Sequence, residues 1–336
     1  MKKLYKSIAL FFALLILVSC TAKKDAVENK VEENTTMSKV TAEPIKVLAL
    51  KGPTGMGLSK LMEESEKGNT ENSYEFELVA SPQDLIAKAV KNEADIIAMP
   101  SNMAAVLWNK TEGKFSVLNV NTLGVLYIVG RNDEIKEVSD LKGKTIYASG
   151  KGASPEYSFN YILSKNAISP EDVNIVWKNE HAEVVGELAK DENALGLIPQ
   201  PFVAVASTKI ENLKIFLDLT KEWEKIGEGS QLVMGVTVAG DEFIEGREEA
   251  VAEFLREYRE SVDFVNKNVS DSADLMEKFG ILDAKIAEKA IPYCNIVSLE
   301  GEDSKSALEG YLKVLFEANP QSVGGVLPDE SLYYIK

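Results

Sequence analysis

The chain has 336 residues and a formal net charge of −16 at pH 7, from 37 basic and 53 acidic side chains. Because phosphate neutralisation needs clustered Lys and Arg, this balance argues against a nucleic-acid partner and against a polybasic membrane surface. The apolar fraction of 45% is ordinary, so the chain can bury a core for two modest domains or one large α/β unit. Two cysteines and one histidine leave little material for a disulfide, a metal site or a catalytic triad, and we expect none.

The first 20 residues have the pattern of a targeting segment, which does not belong to the fold. Lysines within residues 2–6 precede an apolar run over residues 8–18, which is shorter than the roughly 20 residues of a membrane-spanning helix. Residues 17–20 (Leu-Val-Ser-Cys) resemble a bacterial lipobox, which implies that Cys20 is the first mature residue and carries a lipid. Loss of the three lysines would change the net charge to −19.

Residues 21–43 are mostly Lys, Glu, Asn, Thr and small residues, too polar to bury a core. We predict a disordered tether that holds the domain about 25 Å from its anchor on average. The predicted location is therefore outside the cytoplasm, on the cell membrane, through lipidated Cys20.

From residue 44 onward, short apolar runs alternate with segments of helical periodicity, which predicts an α/β fold with mainly parallel sheets. Strands are predicted over residues 45–50, 74–80, 94–99, 122–130, 145–148, 173–178, 194–198, 213–217 and 231–239. Near the carboxyl end, apolar stripes over residues 251–265 and 308–315 predict two amphipathic helices that pack on the core.

Three of the predicted strands run into loops rich in Gly, Pro and Ser that open helices, at residues 51–57, 100–102 and 149–155. Amides that open a helix have no intrahelical partner and attract anionic or polar groups. Since carboxyl ends of parallel strands share one edge of a sheet, these loops predict a cleft for a small ligand. Leu58 stands where a nucleotide-hydrolysing P-loop has lysine, so we do not expect that activity.

The single histidine, His181, is followed by Ala-Glu-Val-Val, which is not a zinc-protease motif, and the chain has no G-x-S-x-G elbow. We interpret His181 as a polar residue at a helix end. No catalytic residue and no cofactor are predicted.

Several landmarks together resemble the type II periplasmic-binding proteins, the substrate-binding lipoproteins of ABC importers, in the branch for nitrate, sulfonate, taurine and thiamine precursors. They are the lipobox, residues 45–57, Ala-Asp-Ile-Ile-Ala-Met-Pro at 94–100, Asp-Leu-Lys-Gly-Lys-Thr-Ile at 140–146, Gly-Lys-Gly-Ala-Ser-Pro at 150–155, and the long helix after a returning strand. The resemblance covers nearly all of the chain from about Pro44. The cysteine-rich motif of the thiamine-pyrimidine synthases in this branch is absent, which disfavours that enzymatic group.

The resemblance implies a two-lobed fold, each lobe a mixed, mainly parallel sheet flanked by helices. Residues 122–130 and 231–239 would be two crossing strands that act as the hinge. Residues 44–130 with 231–336 would form one lobe and residues 131–230 the other. The implied function is capture of a small solute between the lobes and delivery to a membrane permease, by a monomer.

The loops that match the family imply ligand contacts from Thr54, Gly55, Met56, Pro100, Ser101, Asn102, Ser154 and Gln200. Tyr157 and Tyr293 are candidates for aromatic walls, with core packing or a packing turn as the alternative. No arginine lies in these loops, so we predict a neutral or singly anionic solute, such as a flat heterocycle or a sulfonate. Two alternatives stay open: an enzyme on the same fold, of the chorismate-dehydratase type, and a surface lipoprotein without a solute.

Overall fold

A computed structural model describes residues 43–132, 134–227 and 229–335, and these belong to one compact unit. The predicted targeting segment, Cys20 and the tether lie outside the described residues, apart from residue 43. Within the described part, no helix combines the length and apolar content that a membrane span requires.

The strands and helices alternate along most of the chain. The strands are β1 (Ile45–Leu50), β2 (Tyr74–Val79), β3 (Ile96–Pro100), β4 (Phe115–Leu123), β5 (Leu126–Gly130), β6 (Thr145–Ser149), β7 (Asn174–Lys178), β8 (Leu195–Pro199), β9 (Lys214–Asp218), β10 (Val233–Gly240) and β11 (Ile296–Glu300). The helices are α1 (Pro53–Met56), α2 (Ser59–Glu66), α3 (Pro82–Val90), α4 (Ser101–Lys110), α5 (Ser154–Lys165), α6 (His181–Lys190), α7 (Phe202–Lys209), α8 (Leu219–Glu224), α9 (Asp241–Gly246), α10 (Glu248–Lys267), α11 (Val269–Lys278), α12 (Ala284–Ala290) and α13 (Gly301–Ala318).

The described strands form two mixed sheets. The first has six strands in the order β11-β4-β10-β3-β1-β2, and the second has five in the order β7-β6-β8-β5-β9. Within the first sheet β1 runs parallel to β2 and β3, while β10 is antiparallel to β3 and β4. Within the second, β6 is parallel to β7 and β8, while β5 is antiparallel to β8 and β9. The predicted mixed α/β architecture is confirmed, but among the described strands four pairs are parallel and five are antiparallel, so the sheets are not mainly parallel.

Helices cover both faces of the first sheet, as its side-chain alternation requires. Ile45, Val47 and Ala49 on β1 pack in one buried cluster with Phe254 of α10, and the intervening Leu48 packs in a second cluster with residues of α3, α4 and α13. The two apolar stripes predicted near the carboxyl end therefore form core contacts, one on each side of this sheet.

The predicted strands agree with β1 to β3 and β6 to β10 to within two residues at each end, but the single strand predicted over residues 122–130 is wrong. The chain leaves the first sheet after β4 and enters the second at β5, so the change falls at Gly124 and Val125. Gly124 allows this passage because a Cβ there would lie 2.6 Å from Leu232 Cδ2, and its carbonyl accepts a hydrogen bond from Asn295 Nδ2 at 2.6 Å. β5 pairs with β8 and β9 of the second sheet, whereas β4 pairs in the first.

Candidate functional site

A cleft of about 750 Å³ lies where helices that follow strands of the two sheets approach one another. The first residue of each of five helices, α3 to α7, lines it: Pro82, Ser101, Ser154, His181 and Phe202. Helices α3 and α4 follow strands of the first sheet, and α5, α6 and α7 follow strands of the second. The cleft therefore has walls from both sheets.

The cleft offers an anion the starts of helices and no cationic side chain among its described lining residues. The opening amides of a helix are unpaired and carry roughly half a positive charge, which favours a bound anion. Among the described residues that line the cleft there is no Lys or Arg, and Glu180 carries the only formal charge. The rest of the wall is largely apolar, with Met103 and Met234 on the side of the first sheet.

The four predicted residues that line the cleft are Pro100, Ser101, Asn102 and Ser154. The hydroxyl of Ser101 donates to the carbonyl of Val233 at 2.6 Å, which fixes the start of α4 against β10. Asn102 Nδ2 donates to the carbonyl of Ser322 at 3.1 Å. These two bonds fix the start of α4 at the cleft wall.

Tyr311 of α13 forms part of the cleft wall beside the start of α5, where the sequence predicted a core residue. Its Oη lies 3.5 Å from Ser158 Oγ. Burial raises the pKa of Tyr311, and hydrogen bonds to the hydroxyls of Ser158 and Ser154 oppose that rise. Tyr311 is therefore a neutral phenol that connects α13 to the second-sheet side of the cleft.

Tyr157 braces the glycine loop before α5 and does not line the cleft. Its Oη donates to the carbonyl of Gly152 at 2.8 Å and accepts from Asn319 Nδ2 at 2.9 Å. The amide of Gly152 donates to Glu156 Oε2 at 2.6 Å. Two side chains of α5 therefore hold the conformation of the loop that precedes this helix.

His181 is a cleft residue that the sequence analysis placed only at a helix end. Its Nδ1 is hydrogen-bonded to Ser149 Oγ, and its ring centroid lies 4.7 Å from that of Phe202. Burial lowers the pKa of His181, so the imidazole is neutral at pH 7. The pattern used for the three predicted loops, a strand end followed by a helix start, could have identified His181, because it is the first residue of the helix that follows β7.

The loop with Thr54, Gly55 and Met56 does not line this cleft. Met56 is fully buried in the core beneath α10, and a Cβ on Gly55 would lie 2.6 Å from the carbonyl oxygen of Leu50. The carbonyl of the next glycine, Gly57, accepts from Ser261 Oγ at 2.6 Å. This loop therefore attaches α10 to the first sheet.

Gln200 and Tyr293 line a different groove, beside α7 and α12, and not the cleft. Nearby, Cys294 is fully buried and is the only free cysteine in the described part of the chain, and burial raises the pKa of its thiol.

Residues 61–288 match the family model for the phosphonate periplasmic substrate-binding protein of ABC transporters. The chain belongs to this family. The predicted resemblance to substrate-binding proteins of ABC importers is confirmed, and the family model adds phosphonate to the ligand classes named from the sequence.

The curated relatives that match this member of the family have low sequence identity to it. A putative binding protein of Brucella abortus is 23% identical over 173 residues, which are 52% of each chain. The chain thus spans about half the length of the curated relatives it matches.

Solved structures show the same fold over most of the chain. An ABC transporter protein of Parabacteroides distasonis is 24% identical with a TM-score of 0.73, over 88% of this chain and 100% of that one. The periplasmic aliphatic sulphonate-binding protein SsuA of Escherichia coli is 16% identical with a TM-score of 0.66, over 87% and 92%. The alkanesulfonate-binding protein SsuA of Xanthomonas axonopodis pv. citri, bound to MOPS, is 14% identical with a TM-score of 0.58, over 86% and 96%. The predicted two-lobed periplasmic-binding-protein fold is confirmed.

Proposed function

We propose that this protein is the extracytoplasmic solute receptor of an ABC importer, which captures a small organic solute in the cleft and delivers it to a membrane permease. The observation that carries the proposal is the convergence of five helix starts from both sheets on one cleft. Family membership favours this function over the two alternatives, an enzyme on the same fold and a lipoprotein without a solute.

Two lobes that rotate about the passages between the sheets would carry out the capture. The first lobe contains the six-stranded sheet and the second the five-stranded sheet, which moves β5 into the second lobe relative to the sequence prediction. A solute favours the closed form only through contacts that the open form lacks. The receptor would act as a monomer, and the permease would recognise its closed form.

The proposed solute carries one negative charge on an oxyanion, as a sulfonate or a singly ionised phosphonate does, and an apolar remainder. Helix amides stabilise one charge well, but a second charge would face Glu180 with no Lys or Arg in the lining to balance it. Phe202, Met103 and Met234 supply apolar surface for the remainder. The sulfonate ligands named for two structural neighbours support this class.

Calorimetric titration with an alkanesulfonate and the matching alkylphosphonate tests the proposed charge. Like phosphate monoesters, alkylphosphonates lose their second proton near neutral pH. We expect the phosphonate to bind more tightly at about pH 5.5 than at about pH 8.5, whereas the affinity for the sulfonate changes much less. Mass spectrometry of small molecules released from natively purified protein would identify the solute itself.

Two cleft variants test the position of the site. Asn102→Ala and Ser154→Ala should each weaken binding of any solute found, by about fivefold for a lost hydrogen bond of about 1 kcal/mol. Ser164→Ala, at the exposed far end of the helix that Ser154 opens, is the matched control and should bind normally. Unchanged affinity in both cleft variants would show that the solute binds elsewhere.

We further propose that the protein is anchored to the cell membrane by a lipid on Cys20. Metabolic labelling with a fatty acid should label the full chain and the Cys294→Ser variant, but not Cys20→Ser. The Cys20→Ser protein should also leave the membrane fraction. A labelled Cys20→Ser variant would contradict the anchor.

A further inference from the structure

We propose that a second site, the groove beside the passage between the two sheets, binds a small aromatic carboxylate. This groove, called here the hinge groove, encloses about 720 Å³ between α7 and β9 on one side and α12 with the short turn Ile291–Tyr293 on the other. The groove and the cleft share no lining residue. It holds two of the sequence-predicted ligand residues that the cleft does not use, Gln200 and Tyr293.

A buried amide without a partner is the strongest feature of the hinge groove. Gln200 is 3% exposed, and its Oε1 accepts the backbone N–H of Ala204 at 3.2 Å. Its Nε2 is buried and has no hydrogen-bond partner among the described residues. A buried donor left unpaired costs about 1–3 kcal/mol, so an acceptor atom in the groove would be stabilising.

The charges around the groove favour an anionic acceptor. Lys214 and Lys289 line it, and both are exposed. Glu288 is the only acidic residue of the lining, so the groove has an excess of one positive charge. This excess charge would attract an anion whose oxygen accepts from Gln200 Nε2.

An exposed aromatic ring favours a flat apolar remainder on the same molecule. Tyr293 is 46% exposed, and its ring contacts Tyr127 at a centroid distance of 6.3 Å and an interplanar angle of 88°. An exposed ring beside a groove offers a surface on which a second ring can stack. Together, the amide, the two lysines and the ring select an aromatic carboxylate over an aliphatic cation or a sugar.

An occupant of the hinge groove would contact two residues, Gln200 and Tyr293, that are hydrogen-bonded to the passage or to the strand after it. The backbone N–H of Gln200 donates to the carbonyl of Val125 at 2.9 Å, and Tyr127 Oη donates to the carbonyl of Tyr293 at 2.6 Å. Val125 lies in the passage and Tyr127 in the strand that follows it. A molecule in this groove would therefore bridge the two lobes and bias their relative position.

Benzoate is the probe, with benzamide as its uncharged counterpart. We expect ligand-observed NMR to show benzoate binding, and benzamide to bind several-fold more weakly. The Lys214→Gln/Lys289→Gln double variant should weaken benzoate binding about two- to fivefold, as expected for exposed charges, and Tyr293→Ala about fivefold. Lys209→Gln, an exposed lysine of α7 outside the groove, is the control and should bind benzoate normally.

Gln200→Glu keeps the acceptor for Ala204 and replaces the free donor by an oxygen, so it should abolish benzoate binding. Its melting temperature is measured first, and if it does not fold, the lysine pair and Tyr293→Ala decide the outcome. Ser154→Ala separates the two sites, because benzoate has the charge proposed for the cleft solute: loss of benzoate binding in Ser154→Ala, with normal binding in the hinge-groove variants, would place benzoate in the cleft and overturn the proposal. The proposal is overturned if benzoate does not bind, or if the lysine pair and Tyr293→Ala both leave its affinity unaltered.

Discussion

At the scale of single residues, His181 shows how burial sets the chemistry of the cleft. The ring is held between Ser149 and Phe202, and burial disfavours its charged form. A neutral imidazole has one donor and one acceptor nitrogen, and Ser149 engages Nδ1. The other nitrogen is then free to take either role towards a solute.

The lowered pKa of His181 makes folding depend on pH in a defined direction. An unfolded histidine takes up a proton near pH 6.5, whereas the folded one resists protonation, so the unfolded state binds more protons as the pH falls. The contribution of His181 to stability is present above this range and is lost as the pH drops through the lowered folded pKa. Each unit of pKa difference corresponds to about 1.4 kcal/mol.

Urea unfolding of the wild type and His181→Asn at about pH 7 and about pH 5 measures this effect. We expect the wild type to lose more of its free energy of unfolding than the variant over this interval. Carboxylates that titrate there are common to both proteins, so the difference reports His181. Equal losses would contradict the assignment.

A second residue-scale feature is the phenol of Tyr258, whose Oη is buried with no hydrogen-bond partner among the described residues. Tyr258→Phe should therefore be neutral or stabilise the fold by up to about 1 kcal/mol. Gly57→Ala should destabilise it by about 1–3 kcal/mol, because the new Cβ would lie 3.0 Å from Tyr258 Cζ and closer still to its hydroxyl. The φ of −62° at Gly57 suits alanine, so the cost comes from crowding by Tyr258 and by Ile296, whose Cγ2 would lie 3.2 Å from the new Cβ.

A double-variant cycle in thermal or urea unfolding checks this pair. Gly57→Ala should cost less in the Tyr258→Phe background, since the nearest clashing atom is gone. Strict additivity of the two changes would show that the hydroxyl does not limit the space at Gly57.

The sequence predicted part of the cleft because one local rule, a strand end followed by a helix start, holds for Ser101, Asn102 and Ser154. The same rule misplaced Thr54, because the space beyond its loop is filled by α10, a segment about 200 residues later in the chain. Such a long-range packing contact leaves no trace in the local pattern. Tyr311 was missed for a related reason, since it lies in an apolar helical stripe and only its position on α13 brings it to the cleft.

At the scale of elements, the passage from β4 to β5 is where the sequence pattern was misleading. The run over residues 122–130 is largely apolar, and it contains the end of one strand and the whole of the next, so periodicity cannot reveal a change of sheet. The change is fixed by packing around Gly124, from Leu232 and Thr220, and by the hydrogen bond from Asn295. The helices and parallel strands were predictable because their amphipathic patterns and caps are local, as Ser81 shows by capping α3.

Gly124→Ala should lower the free energy of unfolding by about 1–3 kcal/mol, because the added Cβ would lie 2.6 Å from Leu232 Cδ2 and 2.9 Å from Cγ. Gly186→Ala in α6 is the matched control, since no atom lies within 4 Å of the new Cβ, and it should stabilise the fold by up to about 1 kcal/mol. Thermal unfolding measures both. Equal effects of the two alanine substitutions would contradict the explanation that packing around Gly124 fixes the change of sheet.

At the scale of the whole molecule, capture of a solute requires the two lobes to approach each other. Small-angle X-ray scattering should show a smaller radius of gyration at a saturating concentration of a solute whose binding is confirmed by calorimetry. At a lower concentration, near the wild-type Kd, the Ser154→Ala variant should show a smaller decrease than the wild type, because less of it is bound. An unchanged radius with full occupancy would mean that the cleft binds without closure.

The reactivity of the buried Cys294 thiol can be used to measure transient opening of the fold near the passage between the sheets. A thiol with a raised pKa and no access to water is inert towards disulfide reagents until its surroundings separate. Its neighbour Asn295 donates to the carbonyl of Gly124, so detachment of this segment from the passage between the sheets would help to expose Cys294. In a chain truncated before residue 43, the rate at which a thiol reagent labels Cys294 would measure how often this segment opens. A solute that stabilises the closed form should lower that rate.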